Sequence, residues 1–197
     1  EGTVRIGTPD DVGTRILPQA LGEFARSHSA VQVDVMTGAS RVILERLDAG
    51  EIDLALVTAG NLDMHVERGE IVHTEPLVWV GRADGTARLR DPLPVALAEH
   101  GCAWRADAVN ALDRAGRAYR VAYSSEYSAG QLAAVEADLA VAPLPRSLAK
   151  SSLLEIIDEP KMPALADTHV TLVIGAHCSE AGKALTQHVR AAFRALR

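Results

Sequence analysis

The chain has 197 residues, with 20 Lys and Arg against 26 Asp and Glu, a formal charge of −6. Gripping a phosphate backbone needs clustered cationic side chains, so this balance argues against direct nucleic-acid binding by these residues. Nearly half of the residues are apolar and few are aromatic; a core of Ala, Val and Leu suits helices packed on strands.

The predicted elements alternate. Thr3–Thr8 reads as a strand, and the chain opens on it directly, which is the expectation for a piece of a longer protein. Pro18 stands in the first turn of the helix that follows, where a missing N–H does no harm, and Leu17, Leu21 and Phe24 give it an apolar stripe. Val31–Thr37 alternates with period two. A short helix ends at Gly50, and Asp53–Val57 is a continuous apolar run suited to a strand covered on both faces. Glu75–Gly81 is another strand. Gly81–Pro94 is rich in charge, Gly and Pro and reads as an exposed crossing loop. The rhythm then restarts: strand 94–98, helix 105–116, strand 119–124, helix 126–137, strand 138–145, short strand 153–157, strand 169–176. A long closing helix has Ser179 as its expected N-cap.

No apolar run approaches the ~18 residues that span a bilayer, and no secretory leader is visible. Cys102 and Cys178 have no Cys neighbour, so they form neither a disulfide framework nor a zinc site and read as thiols in a reducing cytoplasm. The histidines are scattered; His65 and His73, eight residues apart, lack metal-ligand spacing, and no cofactor or metal is expected. Neither a phosphate-cradling glycine loop nor a nucleophile elbow is present.

The junction Thr37-Gly38-Ala39-Ser40, between a strand and a helix, holds the first functional signal. In open α/β sheets ligands sit beyond the carboxyl ends of strands, where helix N-termini present unpaired N–H groups and partial positive charge. Gly38 permits close backbone approach. The Ser40 hydroxyl either caps the helix or reaches a ligand, and such a place suits a carboxylate or other anion.

The stretch GASRVILERLDAGEIDLALV (38–57) resembles the Gly-x-Ser…Leu-x-x-Gly-x-Ile/Leu-Asp-Leu-Ala signature of the effector-binding domain of LysR-type transcriptional regulators. GTVRIGT…ILPQALGEFARSHSAVQVDV, TEPLVWVGRADG and LAVAPLPRSL resemble further segments of that domain, in the same order, so the likeness runs from about Thr3 to the C-terminus. The resemblance implies a type II periplasmic-binding-protein fold: two Rossmann-like α/β subdomains joined by two crossing strands. The first would combine residues 1–82 and 168–197, the second residues 83–167. It also implies a small metabolite, often a carboxylate or an aromatic acid, bound between them; opposed charges, Asp10 and Asp11 in the first subdomain and Arg105 in the second, would suit a zwitterion or a hydroxy acid. A winged helix-turn-helix upstream, absent from this chain, would read DNA. The domains would pair side by side and antiparallel as a homodimer, with a tetramer open for the full-length regulator. In that pairing the first helix, around Leu17–Arg26, faces the partner's helix around Glu126–Ala137.

The implied effector contacts are Gly38, Ala39 and Ser40, together with Thr8, Pro9, Asp10 and Asp11 in the loop after the first strand. Pro9 departs from the Ser or Thr that many members carry. The two carboxylates either favour the next helix N-terminus or meet an amine or hydroxyl of the effector. Thr58 and Ala59 end the third strand. In the second subdomain Arg105 either grips a carboxylate or pairs with Asp107 or Glu99, and Trp104 either stacks on a flat ligand or joins the core. Ser124 and Ser125 either face the ligand or cap the next helix, and Pro143–Pro145 mark the last loop, where backbone groups would make the contact. The expectation is a non-enzymatic cytoplasmic sensor. Its alternatives are a periplasmic solute receptor, which needs a leader, and an enzyme on the same fold, which needs convergent acid–base groups.

Overall fold

In the computed structural model, residues 2–59 and 68–196 are described. The elements, in chain order, are β1 (Gly2–Thr8), α1 (Asp10–Arg15), α2 (Leu17–Ser27), β2 (Val31–Thr37), α3 (Ser40–Asp48), β3 (Leu54–Ala59), β4 (Glu70–Arg82) and β5 (Leu93–Leu97). Then follow α4 (Ala103–Arg114), β6 (Tyr119–Ser124), α5 (Ser128–Glu136), β7 (Ala142–Pro145), β8 (Leu154–Ile156), β9 (Asp167–Ile174) and α6 (Glu180–Arg194). Single 3-10 turns occupy Ala87–Leu89 and Arg146–Leu148.

The described residues fall into two compact units: 2–59, 68–74 and 169–196 form the first, 75–168 the second. The chain changes unit inside β4, between Thr74 and Glu75, and inside β9, between Thr168 and His169.

In the first unit β1 pairs in parallel with β2 along its whole length and with β3 at its far end, and β9 closes the row antiparallel to β3. The order is β2-β1-β3-β9. Leu17, Ala20 and Phe24 are the buried face of α2, at helical spacing. They meet Leu185, Val189 and Phe193 of α6 over Val4, Ile6, Leu54 and Leu56 of the sheet. Ser179 caps α6 as its sequence suggests, its hydroxyl accepting from the Gly182 N–H at 3.1 Å. Gly50, at φ +71°, ends the turn after α3 in a conformation that a Cβ would strain. On the other sheet face, Gly7 lets α3 lie close: a Cβ there would come within 2.8 Å of Ile43 and Ile52 side-chain atoms.

In the second unit β5 and β6 are parallel, Val95 bridges to Val141 just before β7, and β4 runs between β7 and β8, antiparallel to both. The core sets small side chains (Ala96, Ala108, Ala134, Ala142) among Leu, Val and Ile and two indoles, Trp79 and Trp104. Both indole N–H groups are satisfied, by the Pro163 carbonyl at 2.9 Å and the Thr168 hydroxyl at 3.0 Å.

Several boundaries depart from the sequence expectation. β4 starts at Glu70 rather than Glu75. The α1 turn carries no apolar stripe that sequence periodicity could reveal, and it emerges only from its packing. β7 starts at Ala142, because Asp138 at φ +55° turns the chain out of α5 first. The expected crossing loop is anchored: the Asp138 carboxylate accepts from the Thr86 and Ala87 amides and the Thr86 hydroxyl at 2.9–3.0 Å. Burial raises the Asp138 carboxyl, but those three donors and the Arg90 charge together hold it below the ordinary carboxylate range. Among the described residues no helix is long and apolar enough to cross a membrane.

Candidate functional site

Because β1, β2 and β3 are parallel, their carboxyl ends share one edge of the first unit. Thr8 closes β1 and Thr37 closes β2, and the next amide, Gly38 N–H, donates to the Thr8 carbonyl at 3.1 Å. Ala39, extended, is the N-cap of α3, and no side chain caps that helix. Ser40 is therefore the first helical residue, and its hydroxyl turns sideways to accept from the Thr58 N–H at 3.0 Å. An oxygen that accepts from a backbone amide still has its own O–H to donate. The first amides of α3 have no carbonyl within the helix to bind. A Cβ placed on Gly38 would meet nothing within 4 Å, so glycine leaves open space at this turn. Gly38, Ala39, Ser40 and Thr58 thus meet at one strand edge, with the Gly38 and Thr58 amides committed to Thr8 and Ser40, and Ser40 does not cap its helix.

After β1 both carboxylates fall in the first turn of the next helix, as one of the two expectations has it, although neither caps it. Pro9 is the N-cap of α1, with no side-chain cap bond; Asp10 and Asp11 are the first two residues inside the helix. Thr8 is fully buried, and Asp11 is 8% exposed. The Asp11 carboxylate lies 3.5 Å from Arg15 Nη2. Burial pushes its carboxyl above the ordinary value, and the Arg15 charge offsets that only in part. Asp10 stays half-buried at the helix start, where negative charge complements the dipole.

In the second unit the parallel strands β5 and β6 form a similar edge. The Ser125 N–H donates to the Leu97 carbonyl at 3.1 Å. The Ser125 hydroxyl is taken up in its own turn, donating to the Tyr127 carbonyl at 3.1 Å and accepting from the Tyr127 N–H at 3.2 Å. Ser124 is exposed at the strand end. Neither serine caps α5, whose N-cap is Tyr127. Arg105 pairs with neither Asp107 nor Glu99: its guanidinium donates to the Ala98 carbonyl at 2.8 Å and lies 3.5 Å from His100 Nε2. Asp107 is engaged elsewhere, accepting from the Ala166 N–H at 2.8 Å. Trp104 packs in the core at 8% exposure. Pro143 stands within β7, opposite Trp79 of β4, and not in a loop; Pro145 ends the strand opposite Leu77.

Sequence reasoning passed over two polar groups beside these edges. Gln131, 2% exposed on α5, donates to the Ser125 carbonyl at 3.1 Å and fixes that turn. Glu75 accepts from the N–H and the hydroxyl of Ser147, both at 2.8 Å. Glu75 stands in the TEPLVWVGRADG stretch, but a partner 72 residues away leaves no local signal. His65 lies outside the described residues; His73 packs at 5.8 Å from the Phe193 ring. Among the described residues no group of three or more His, Cys, Asp or Glu is placed to hold a metal ion.

The family described as LysR substrate binding domain matches residues 1–194. The HTH-type transcriptional regulator DgdR of Burkholderia cepacia is 33% identical over 191 residues, covering 96% of this chain and 64% of that regulator. The chain therefore spans less than two thirds of that relative. Among solved structures, the regulatory domain of Synechocystis PCC6803 CcmR in complex with 2-PG superposes with a TM-score of 0.78 at 18% identity, covering 98% of both chains. The effector-binding domain of QuiR in complex with shikimate gives 0.71 at 16% identity, covering 99% of this chain and 98% of that one. At such identities the likeness shows the fold, that of type II periplasmic-binding-protein-like domains.

Proposed function

We propose, from the premise that this chain belongs to the family of LysR substrate binding domains, that it is the ligand-sensing part of a bacterial transcription regulator. The ligand is a small metabolite bearing a carboxylate or other anionic group. The observation that carries this reading is the Ser40 hydroxyl, held by the Thr58 amide at 3.0 Å beside the open N-terminus of α3. A helix start with a fixed hydroxyl donor and no side-chain cap favours an anion. Gly38 and Ala39 supply backbone approach, and Asp10 meets an amine or hydroxyl on the same ligand. Thr8 and Asp11 are buried in this edge and act by shaping it; Pro9 stiffens the turn. The resemblance carries the expectation that Trp104, Arg105, Ser124, Ser125 and Pro143 of the second unit serve the same ligand.

The role is recognition, not catalysis. Asp11, whose carboxyl is raised, is turned to Arg15 rather than presented to a reacting group. The ligand acts by favouring one arrangement of the protein over another, which requires unequal affinity for the two. DNA is contacted by an upstream helix-turn-helix, in the cytoplasm, and the sensing domains pair with α2 of one copy against α5 of the other. The relative DgdR is an HTH-type transcriptional regulator, and the two neighbours named above are regulatory and effector-binding domains in complex with 2-PG and shikimate, which supports this reading.

A thermal-shift panel of hydroxy acids, amino acids and aromatic carboxylates at millimolar concentration tests the reading. A ligand at about a hundred times its Kd stabilises by about 2.7 kcal/mol and raises Tm by roughly 5–10 °C. No shift with any anionic compound, or a shift that Ser40→Ala leaves intact, counts against it.

A further inference from the structure

The edge of the first unit has no ring on which a flat ligand could stack. Of the Phe, Tyr and Trp residues, this unit holds Phe24 and Phe193, 0% and 1% exposed in its core. Selection there falls to charge and hydrogen bonding, and most polar groups are already taken. The Gly38 and Thr58 amides serve Thr8 and Ser40. The Asp11 carboxylate is turned to Arg15. The Thr14 hydroxyl donates to the backbone carbonyl of Asp10 at 2.9 Å, not to its carboxylate. Two kinds of group are left. The Ser40 O–H and the first amides of α3 are donors suited to an anion. The half-buried Asp10 carboxylate is an acceptor that nothing bonds or pairs with among the described residues.

Backbone register puts these two side by side. β1 and β2 are paired to their last residues, Thr8 opposite Thr37. Asp10 opens α1 two residues past the first, and Ser40 opens α3 three residues past the second. Neighbouring strands lie about 5 Å apart. Gly13 seats α1 on both strand ends: a Cβ there would come within 2.9 Å of Thr8 Cγ2 and 3.1 Å of Thr37 Cγ2. Thr8 is fully buried and β-branched, so its methyl has little room to move aside. An anion without a cation would lie beside the Asp10 carboxylate and be repelled by it. An ammonium group between the two removes the repulsion and adds a charge-assisted hydrogen bond. Groups this close suit an amine and a carboxylate on one carbon better than at two ends of a chain.

We propose that Asp10 is the specificity-determining residue of this edge, selecting an α-amino acid over the corresponding hydroxy acid, and that Gly13 is the positioning residue that seats it. The proposal rests on the sensor reading and narrows its ligand class.

Calorimetric titration tests it with matched pairs differing in one group: alanine and lactate, serine and glycerate, leucine and 2-hydroxy-4-methylpentanoate. In the pair that binds most tightly, the amino acid is expected to bind about ten-fold tighter than the hydroxy acid, the difference between a charge-assisted and a neutral hydrogen bond. 4-Aminobutanoate, with its charges at the two ends, is expected to bind more weakly than the amino acid by a similar factor. Asp10→Asn is expected to bring the pair's ratio to about one, while Asp10→Glu keeps most of it. Gly13→Ala is expected to reduce the ratio while hydroxy-acid affinity stays within about two-fold of the parent. If Asp10 served the helix dipole alone, its loss would weaken both members of a pair equally, so an unchanged ratio in Asp10→Asn overturns the proposal. So does a parent protein that binds the hydroxy acid or 4-aminobutanoate as tightly as the amino acid, a result that needs no variant and leaves the sensor reading intact. No binding by any carboxylate, in these pairs or in the thermal-shift panel, overturns both.

Discussion

The two units solve the same local problem with different end groups. Each has a parallel strand pair followed by a helix, and in each the amide just past the second strand bonds the last carbonyl of the first: Gly38 to Thr8, Ser125 to Leu97, both at 3.1 Å. Beyond that point they diverge. The first unit places glycine where the backbone turns and sends a hydroxyl, Ser40, across to a third strand. The second places serine at the turn and closes its hydroxyl within Ser125–Tyr127, with buried Gln131 tying the carbonyl down. The first edge carries Asp10 and Asp11, the second Arg105, whose guanidinium is partly committed to the Ala98 carbonyl. The strand–helix frame is thus shared, and the chemistry is set by which polar atoms remain uncommitted. By that measure the anion site proposed for this chain belongs with the first unit's edge.

The largest effect expected from breaking this contrast lies one residue before the strand end. Gly7 and Ala96 hold matching places, next to last in β1 and β5. A Cβ at Gly7 would come within 2.8 Å of Ile43 and Ile52, whereas Ala96 is already accommodated in its core. Gly7→Val is expected to lift α3 from the sheet, lower stability by about 3 kcal/mol, and raise amide exchange across α3 and β3 more than across α4 and β6. Urea titration with hydrogen exchange checks it; uniform exchange across both units would contradict the local packing argument.

A smaller effect separates the two serines. Ser40→Ala leaves the Thr58 amide without its acceptor and is expected to cost about 1–2 kcal/mol. It should also lower affinity about ten-fold for whichever panel compound shifts Tm, since a charge-assisted hydrogen bond to an anion is the lost contact. Ser125→Ala loses only contacts within one turn, so a few tenths of a kcal/mol and little change in affinity are expected. Calorimetric titration of both variants with the same compound decides. Equal losses would erase the distinction between the edges.

Much of this frame is legible in the sequence because it is periodic. Val31–Thr37 is found residue for residue, and Pro18, Gly50 and Ser179 punctuate where their backbone chemistry dictates. The site is legible only as a set of positions. Gly38 and Ser40 announce a helix start, but which atom the hydroxyl meets depends on Thr58, brought alongside by strand pairing. Arg105 has carboxylates nearby in sequence and bonds a carbonyl instead, since the helix aims it back at the β5 end. Asp138, Gln131 and Glu75 are ordinary polar residues until the fold delivers partners 6 to 72 residues away. Capping and periodicity are local and can be read; commitment of polar atoms is tertiary and cannot.

The smallest effect is a difference of sign. Asp11 in the first unit and Asp138 in the second are both carboxylates at helical turns, yet burial raises one and converging donors lower the other. A raised folded-state pKa means that the native protein binds the proton more tightly than the unfolded chain. The Asp11 contribution is therefore favourable in acid and is lost as pH rises from the ordinary carboxylate value through its raised one. Asp138 behaves oppositely: its contribution is present above the ordinary carboxylate value and is lost as pH falls through its lowered one. Asp11→Asn should thus gain on the parent protein at neutral pH, with the gain shrinking on acidification. Asp138→Asn should lose at neutral pH, with the loss shrinking on acidification. Urea midpoints measured from pH 7 down to about pH 3 bracket both windows. Slopes of the same sign for the two variants would mean that the Arg15 charge outweighs burial at Asp11, and that this carboxylate is held for its pairing rather than merely enclosed by the fold.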